Sequence, residues 1–313
     1  MRVTRERVMG TELLTVLPAG QAAAVLGWLR DVEATFSRFV PDSDVSRANA
    51  GAGRPVAVSG LFLHVLTEAV AYQRRTGGLF SPFLGAELVR LGYDRDFAEV
   101  AEVAEVAEVA AHVAPPAAAP DAAAPDDDAA PPEVHLDLDA STVQLPPGVG
   151  IDLGGFVKGW SVQAALDALD APRCLIDAGG DLVARRGEND PPWRVGVEHP
   201  LTRTALGVLE LPPAAAVATS SVARRAWRGT DGARLHHIVD PRSGQPAVSD
   251  CLQATVLADD LAAAEVWATC LTILGTTEGS THLAELDPAA RWLTVDTEGA
   301  VRHSPGLPFE ATP

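Results

Sequence analysis

The sequence predicts an α+β fold, in which antiparallel-rich β-sheets pack against a small number of helices. Short segments typical of strands far outnumber the segments with helical periodicity. Chains built as doubly wound parallel sheets alternate strand and helix instead, so that pattern is not favoured. An apolar fraction of 47% is enough for a full hydrophobic core.

Four segments have helical features. Apolar residues at helical spacing mark the first two, and Ser59 is a plausible N-cap for the second. Gly77 and Gly78 would end that second helix. The predicted helices are Ala22 to Phe36, Leu61 to Arg75, a segment from Gly155 to about Leu169, and Leu261 to Leu274.

The strand predictions depend on short apolar or alternating segments bounded by turn residues. Apolar and polar residues alternate over 134–138, as in a half-buried strand. Residues 174–178 are followed by two glycines that would end the strand. The predicted strands are 10–17, 134–138, 142–145, 174–178, 194–198, 206–211, 235–239, 254–258 and 291–295, with a short strand at Ile151 before the third helix.

A low-complexity segment divides the chain. From Ala98 the triplet Ala-Glu-Val occurs four times, and Ala/Pro-rich sequence and three consecutive aspartates follow. Such a composition cannot bury enough surface to offset the entropy lost on ordering. We therefore predict one domain formed by residues 1–97 and 133–313, with 98–132 as a disordered surface insertion. A metal-binding role for the three aspartates is the less favoured alternative.

The charge excludes some classes of partner. A formal net charge of −18 argues against a broad basic surface for nucleic acid or anionic lipid, but not against a nucleotide in a local pocket. No run of 18 apolar residues predicts a membrane span. Residues 1–16 lack the features of an export signal, so we expect a cytoplasmic protein. The sequence leaves the oligomeric state open.

The segment Ile151 to Trp160 has the features of an anion-binding turn. Gly154 and Gly155 would let the backbone approach a ligand, and the new helix would offer free N–H groups. Lys158, the only lysine in the chain, would lie on the first helical turn. The spacing fits neither a Walker A loop nor a dinucleotide-binding GxGxxG pattern. A tight connection with a surface lysine is the alternative.

The segment His236 to Gly244 contains two adjacent histidines. Neighbouring side chains of a strand point to opposite faces, so only one of the two could enter a given site. That imidazole could accept a proton or donate to a phosphate near neutral pH. The alternative is a histidine satisfied on an edge strand.

The third segment lies on the predicted helix 261–274. Glu265 and Thr269 are four residues apart and share a face of that helix. A carboxylate and a hydroxyl together suit a hard cation such as magnesium. Taken alone, the pattern favours a solvent-facing Glu265 and a half-buried Thr269.

Taken in order, these segments resemble the ApbE family of flavin transferases. The resemblance covers nearly the whole chain apart from the insertion and the C-terminal tail. Its motifs are 9–11, 36–49, 78–82, 91–94, 152–158, 178–181, 218–221, 236–244 and the helix around Glu265. Each is weak alone, whereas the ordered set is highly specific. The resemblance also implies a T-fold-like internal duplication.

The resemblance implies magnesium-dependent transfer of the FMN half of FAD to a Ser or Thr of an acceptor protein, with release of AMP. The implied catalytic residues are Lys158, His237 and Glu265. The metal ligands would be Glu265, Thr269 and the Gly155 carbonyl. FAD would contact Phe80, Ser81, Asp152, Lys158, Asp181 and His237.

Three positions depart from the family pattern. Glu265 replaces the usual aspartate, and its extra methylene moves the carboxylate by roughly an ångström, which oxygen ligation often absorbs. Ser81 stands where aspartate is common, and Ser221 replaces a frequent glycine. Two other functions use the same site: hydrolysis of FAD to FMN and AMP, and FAD binding without catalysis.

Removal of residues 100–130 tests the predicted insertion. Because this Ala/Pro/Asp-rich segment contributes no core, we expect the shortened chain to turn over FAD at a rate near that of the full chain. Parallel rate measurements on the two purified chains check this. A shortened chain that fails to fold would contradict the prediction.

Overall fold

The structure is a computed structural model that describes residues 1–95, 132–229 and 232–312. The predicted insertion, 98–132, lies outside these ranges except for Pro132 at its end. Within them, no helix has the length and apolarity needed to cross a membrane. The predicted cytoplasmic location stays a prediction.

The described residues form seven helices and eighteen strands. The helices are α1 (Ala22–Phe36), α2 (Asp44–Ala50), α3 (Gly60–Arg75), α4 (Gly85–Arg90), α5 (Val157–Asp167), α6 (Leu261–Leu274) and α7 (Thr276–Leu286). The strands are β1 (Arg2–Val8), β2 (Thr11–Leu17), β3 (Val56–Ala57), β4 (His135–Asp137), β5 (Thr142–Gln144), β6 (Cys174–Ala178), β7 (Asp181–Arg185), β8 (Arg194–Glu198), β9 (Ala205–Glu210), β10 (Ala214–Ser221), β11 (Ala226–Arg228), β12 (Arg234–His236), β13 (Val239–Asp240), β14 (Gln245–Pro246), β15 (Cys251–Ala258), β16 (Arg291–Asp296), β17 (Val301–His303) and β18 (Phe309–Ala311).

One eight-stranded sheet organises the molecule. Its order is β1-β2-β6-β7-β10-β15-β16-β17, and every neighbouring pair is antiparallel. Strands from both sides of the predicted insertion therefore pair within a single sheet. The predicted α+β class with antiparallel sheets is confirmed.

Both faces of this sheet are covered. On strand β10, Ala216 and Ala218 belong to the core beneath the helices, whereas Ala215 and Val217 belong to a second core. That second core includes Val197 and residues of β9, which come from the three-stranded sheet β18-β9-β8. Successive side chains of a strand point to opposite faces, so a central strand with two covered faces is apolar at consecutive positions.

The long helices match the sequence prediction. Helices α1 and α6 have the predicted bounds, and α3 begins one residue early. Ser59 caps α3 as expected, because its hydroxyl accepts a hydrogen bond from the Phe62 amide at 3.1 Å. The elements that were not predicted are helices α2, α4 and α7 and strands β1, β3, β7, β10, β11, β14, β17 and β18.

The strand predicted at Ile151 is wrong. The Ile151 amide donates to Asn49 Oδ1 at 2.7 Å, and Asn49 Nδ2 donates back to the Ile151 carbonyl at 2.9 Å. A side-chain amide thus supplies both hydrogen bonds that a neighbouring strand would provide. The segment before α5 is irregular and anchored to α2.

A two-residue hairpin places Asp181 at the start of β7. Ala178 pairs with Asp181 across the turn, and Gly179 and Gly180 between them have φ of 71° and 99°. Positive φ at both central residues is the type I′ geometry, which glycine adopts without strain. A side chain at Gly179 would collide with Thr11 on strand β2.

Helices α5 and α6 approach closely at Gly159. A Cβ atom there would lie 2.8 Å from Glu265 Oε2 and 2.8 Å from the Leu261 carbonyl oxygen. Such distances require part of α6 to move. The absence of a side chain at this position therefore sets the spacing of the two helices.

Gly159→Ala should therefore destabilise the protein. We expect the free energy of unfolding to fall by about 1–3 kcal/mol, the usual cost of overpacking. Urea unfolding measures this. Gly27→Ala is the matched control: Gly27 lies in α1, a Cβ there meets nothing within 4 Å, and alanine favours a helix. Equal stabilities of the two variants would contradict the interpretation.

The strand predicted over residues 235–239 is divided into β12 and β13. His236 ends β12 with its side chain buried, and its Nε2 lies 3.1 Å from the Ala247 carbonyl oxygen. Burial lowers the pKa of His236 to about 4, opposed by the Ala247 carbonyl. His236 is thus a neutral structural histidine at physiological pH.

The buried His236 should make stability depend on pH. Its pKa is about 6.5 in the unfolded chain and about 4 in the folded one, so between these values the unfolded chain binds the extra proton. The stability present above pH 6.5 is therefore lost as pH falls towards 4, by up to ~3 kcal/mol.

Chemical unfolding of the wild type and of His236→Gln between pH 4 and pH 7 measures this loss. We expect the variant to lose less stability on acidification, because glutamine does not titrate. The same pH dependence in both proteins would show that His236 is not responsible.

Candidate active site

All nine residues implied by the resemblance line one cavity. Its volume is about 270 Å³, and α5, α6, β7 and the segment after β12 contribute to its wall. The nine are Phe80, Ser81, Asp152, Gly155, Lys158, Asp181, His237, Glu265 and Thr269. Residues distant in sequence are thus brought together at a single site.

Lys158 lies between two carboxylates. Its Nζ contacts Asp181 Oδ2 and lies 3.2 Å from Glu265 Oε1, and its side chain is only 13% exposed. Burial lowers the pKa of Lys158, and the Glu265 carboxylate opposes that shift. One ammonium against two carboxylates leaves the cluster with one net negative charge, which favours binding of a cation.

Glu265 also fixes the start of helix α5. Its Oε2 accepts a hydrogen bond from the Gly159 amide at 2.8 Å. This amide belongs to the first turn of α5, where backbone N–H groups lack helical partners and a carboxylate is favourable. Glu265 is 5% exposed. The solvent-facing Glu265 that its pattern alone favoured is therefore wrong.

The oxygen donors near Glu265 fit a hard cation. Thr269 Oγ1 lies 3.1 Å from Ser220 Oγ, and both residues line the cavity with Gly155. Gly155 precedes the N-cap Phe156, so its carbonyl lies outside the hydrogen-bond ladder of α5. No cluster of three His, Cys, Asp or Glu side chains suited to a metal occurs in the described residues. Magnesium is commonly held by one or two carboxylates together with substrate phosphates, so the donor set fits it.

Asp152 is held by an arginine that the sequence analysis did not assign to the site. Arg38 Nε donates to Asp152 Oδ2 at 2.6 Å, and Asp152 Oδ1 accepts from the Gly154 amide at 2.8 Å. The Arg38 guanidinium also stacks over the rings of Phe39 and Tyr93, 4.2 and 4.5 Å from their centroids. Arg38 thereby fixes the turn that leads into α5.

Phe80 and Ser81 form another part of the wall. The Phe80 ring packs against Phe156 with centroids 5.9 Å apart. Ser81 Oγ accepts hydrogen bonds from Gln73 Nε2 at 3.1 Å and from the Phe83 amide at 3.2 Å. The Ser81 oxygen is therefore engaged within the protein, and its hydroxyl proton remains to be donated.

His237 is the histidine that reaches the cavity. Burial holds its pKa well below 6.5, and the positive charge of Arg225 acts in the same direction. Its Nδ1 is buried and has no hydrogen-bond partner within the described residues. The lowered pKa keeps the imidazole neutral near pH 7, so an unprotonated ring nitrogen is available as an acceptor.

The cavity therefore combines three chemical capacities. The Lys158 ammonium can stabilise negative charge, and the neutral His237 can take a proton. Glu265, Thr269 and the Gly155 carbonyl offer oxygen donors for a cation. These capacities suit reactions at phosphate groups, which depend mainly on positioning and charge stabilisation.

Comparison with known proteins agrees with this arrangement. The FAD:protein FMN transferase of Treponema pallidum is 28% identical over 331 aligned positions, covering 96% of this chain and 86% of that protein. The Vibrio cholerae protein of the same name is 27% identical and covers 80% of this chain and 72% of its own length.

Solved structures show the same fold. The ApbE protein of Thermotoga maritima superposes with a TM-score of 0.79 at 24% identity, covering 97% of both chains. The flavin transferase ApbE of Vibrio cholerae gives 0.72 at 23% identity, covering 97% of this chain and 96% of that one. A model of the ApbE family matches residues 9–292. The chain therefore belongs to the ApbE family.

Proposed function

We propose that this chain transfers the FMN moiety of FAD to a Ser or Thr hydroxyl of an acceptor protein, releases AMP, and requires magnesium. The names of its relatives support transfer from FAD to a protein. The observation that carries the proposal is the buried contact of Lys158 with Asp181 and Glu265, in the same cavity as a neutral His237.

In this reaction the acceptor oxygen attacks the phosphorus of the FMN half. A new P–O bond forms to the acceptor, and the bond to the bridging oxygen of the diphosphate breaks, so that AMP carries that oxygen away. A ring nitrogen of His237 takes the proton of the acceptor hydroxyl. Lys158 stabilises the charge on the phosphate oxygens during the transfer.

The remaining residues bind and orient. Asp152 and Arg38 fix the turn before α5, while Phe80 offers an apolar surface and Ser81 a hydroxyl donor to the flavin nucleotide. Glu265, Thr269 and the Gly155 carbonyl would hold magnesium, which when bound would neutralise phosphate charge. Asp181 keeps Lys158 in place.

Mass spectrometry of the acceptor tests the proposal directly. Wild-type chain, FAD, magnesium and a candidate acceptor should yield an acceptor heavier by one FMN unit, together with free AMP. Free FMN and AMP without an adduct would instead indicate a hydrolase. Unchanged FAD that stays bound to the chain would indicate a binding protein. Either of these results would contradict transfer.

Glu265→Gln tests the metal end of the site. The glutamine oxygen can still accept the Gly159 amide, so we expect the fold to be kept. Loss of the carboxylate charge should lower the rate by about 100-fold, as does loss of one electrostatic group elsewhere. It should also abolish any magnesium-induced rise in Tm.

Glu278→Gln is the matched control, since Glu278 is exposed on α7 and outside the cavity. A Glu265→Gln protein with wild-type rate and the wild-type Tm response to magnesium would remove Glu265 from the site.

A further inference from the structure

Arg225 is held in an unfavourable backbone conformation at the edge of the cavity. It lies in the turn between β10 and β11, lines the cavity, and has φ of 49°. The backbone of any residue other than glycine is strained in this left-handed region. Such strain persists where the surrounding structure imposes it, often at ligand sites. The positive φ of Arg225 therefore points to a functional role for its side chain or its backbone.

The charge of Arg225 is unpaired, unlike that of the other cavity cations. Each of those has a carboxylate within ion-pair distance: Lys158 with Asp181 and Glu265, Arg38 with Asp152, and Arg224 with Glu198. For Arg225, no ion pair or side-chain hydrogen bond with another described residue occurs. An unpaired guanidinium at a cavity offers five N–H donors to an anion.

Arg225 lines the cavity in which the reaction is proposed to occur. Lys158 and His237, the ammonium and the imidazole that the proposed transfer uses, line the same cavity. The Arg225 guanidinium is therefore available to the ligand that these two residues would serve.

The charge of the Lys158 cluster favours a further cationic side chain for a diphosphate, in addition to the proposed magnesium. Lys158 is already compensated by two carboxylates, and the diphosphate of a dinucleotide brings two further negative charges. Arginine matches phosphate oxygens with paired N–H donors.

We propose that the Arg225 guanidinium binds the diphosphate of FAD. This inference rests on the proposed function for the identity of the ligand.

Equilibrium binding separates the phosphate contact from the flavin contacts. FAD and riboflavin share the isoalloxazine ring, but riboflavin lacks phosphate. For Arg225→Gln we expect the Kd of FAD to rise about 10- to 100-fold, the usual effect of losing a charge-assisted hydrogen bond, and that of riboflavin to stay unchanged. Flavin fluorescence and calorimetry measure both.

Arg203→Gln is the matched control. Arg203 also has a positive φ, of 61°, but pairs with exposed Glu198 and does not line the cavity. We expect wild-type binding of both flavins. Unchanged FAD binding in Arg225→Gln, or an equal loss for both flavins, would overturn the inference.

Arg225→Gly distinguishes ligand binding from a structural role. Glycine adopts the left-handed conformation without strain, so Tm should stay equal or rise while FAD binding weakens. A lower Tm with unchanged FAD binding would assign Arg225 a structural role only.

Binding of inorganic pyrophosphate in the presence of magnesium tests the role of Arg225 separately from FMN transfer. Wild type should bind it more tightly than Arg225→Gln. This difference without any adduct on an acceptor would support Arg225 and reject the transferase. An adduct formed equally fast by both proteins, with equal pyrophosphate binding, would support the transferase and reject Arg225.

Discussion

The buried ammonium of Lys158 between Asp181 and Glu265 is the interaction on which the site depends. It joins strand β7, helix α5 and helix α6, three elements that come from distant parts of the chain. Buried charges are tolerated only with partners in good geometry, and loss of one partner leaves a buried charge without compensation. The glycines nearby serve this requirement: Gly159 lets α5 and α6 touch, and the Gly179-Gly180 turn sets where Asp181 begins its strand.

Much of the fold could be predicted where local signals and packing agree. Helix α3 has a Ser59 cap and a helical apolar pattern, and α6 is apolar except at Glu265, Thr269 and Thr272, so both were predicted closely. Strand β10 is rich in alanine, which has low strand propensity, and is specified by its position between β7 and β15. The strand predicted at Ile151 is wrong because the hydrogen bonds of this residue go to the Asn49 side chain, a contact that has no local signal in the sequence.

The candidate site was predictable because the ordered motifs carry more information than any one of them. The sequence did not predict contacts that form only in the folded protein, and some residues of the site were therefore placed wrongly or left out. Glu265 appeared solvent-facing from helical pattern alone, yet it caps the first turn of α5. Arg38 lies within a motif, but its bond to Asp152 crosses more than a hundred residues. Arg225 follows another arginine and belongs to no recognisable motif. Its positive φ and its lack of an ion pair with the described residues can be seen only in the structure.

The charge distribution reconciles an acidic protein with an anionic ligand. A net charge of −18 is spread over the chain, whereas four cationic side chains among the described residues line the cavity, and three of these pair with carboxylates. Lysine occurs only once, at the centre of that arrangement. The single lysine ε-amine of the chain is therefore held by two carboxylates. An amine-directed acylating reagent would modify a lysine side chain only in this cavity, so the acylation rate at Lys158 becomes a direct reporter of whether a ligand occupies the site.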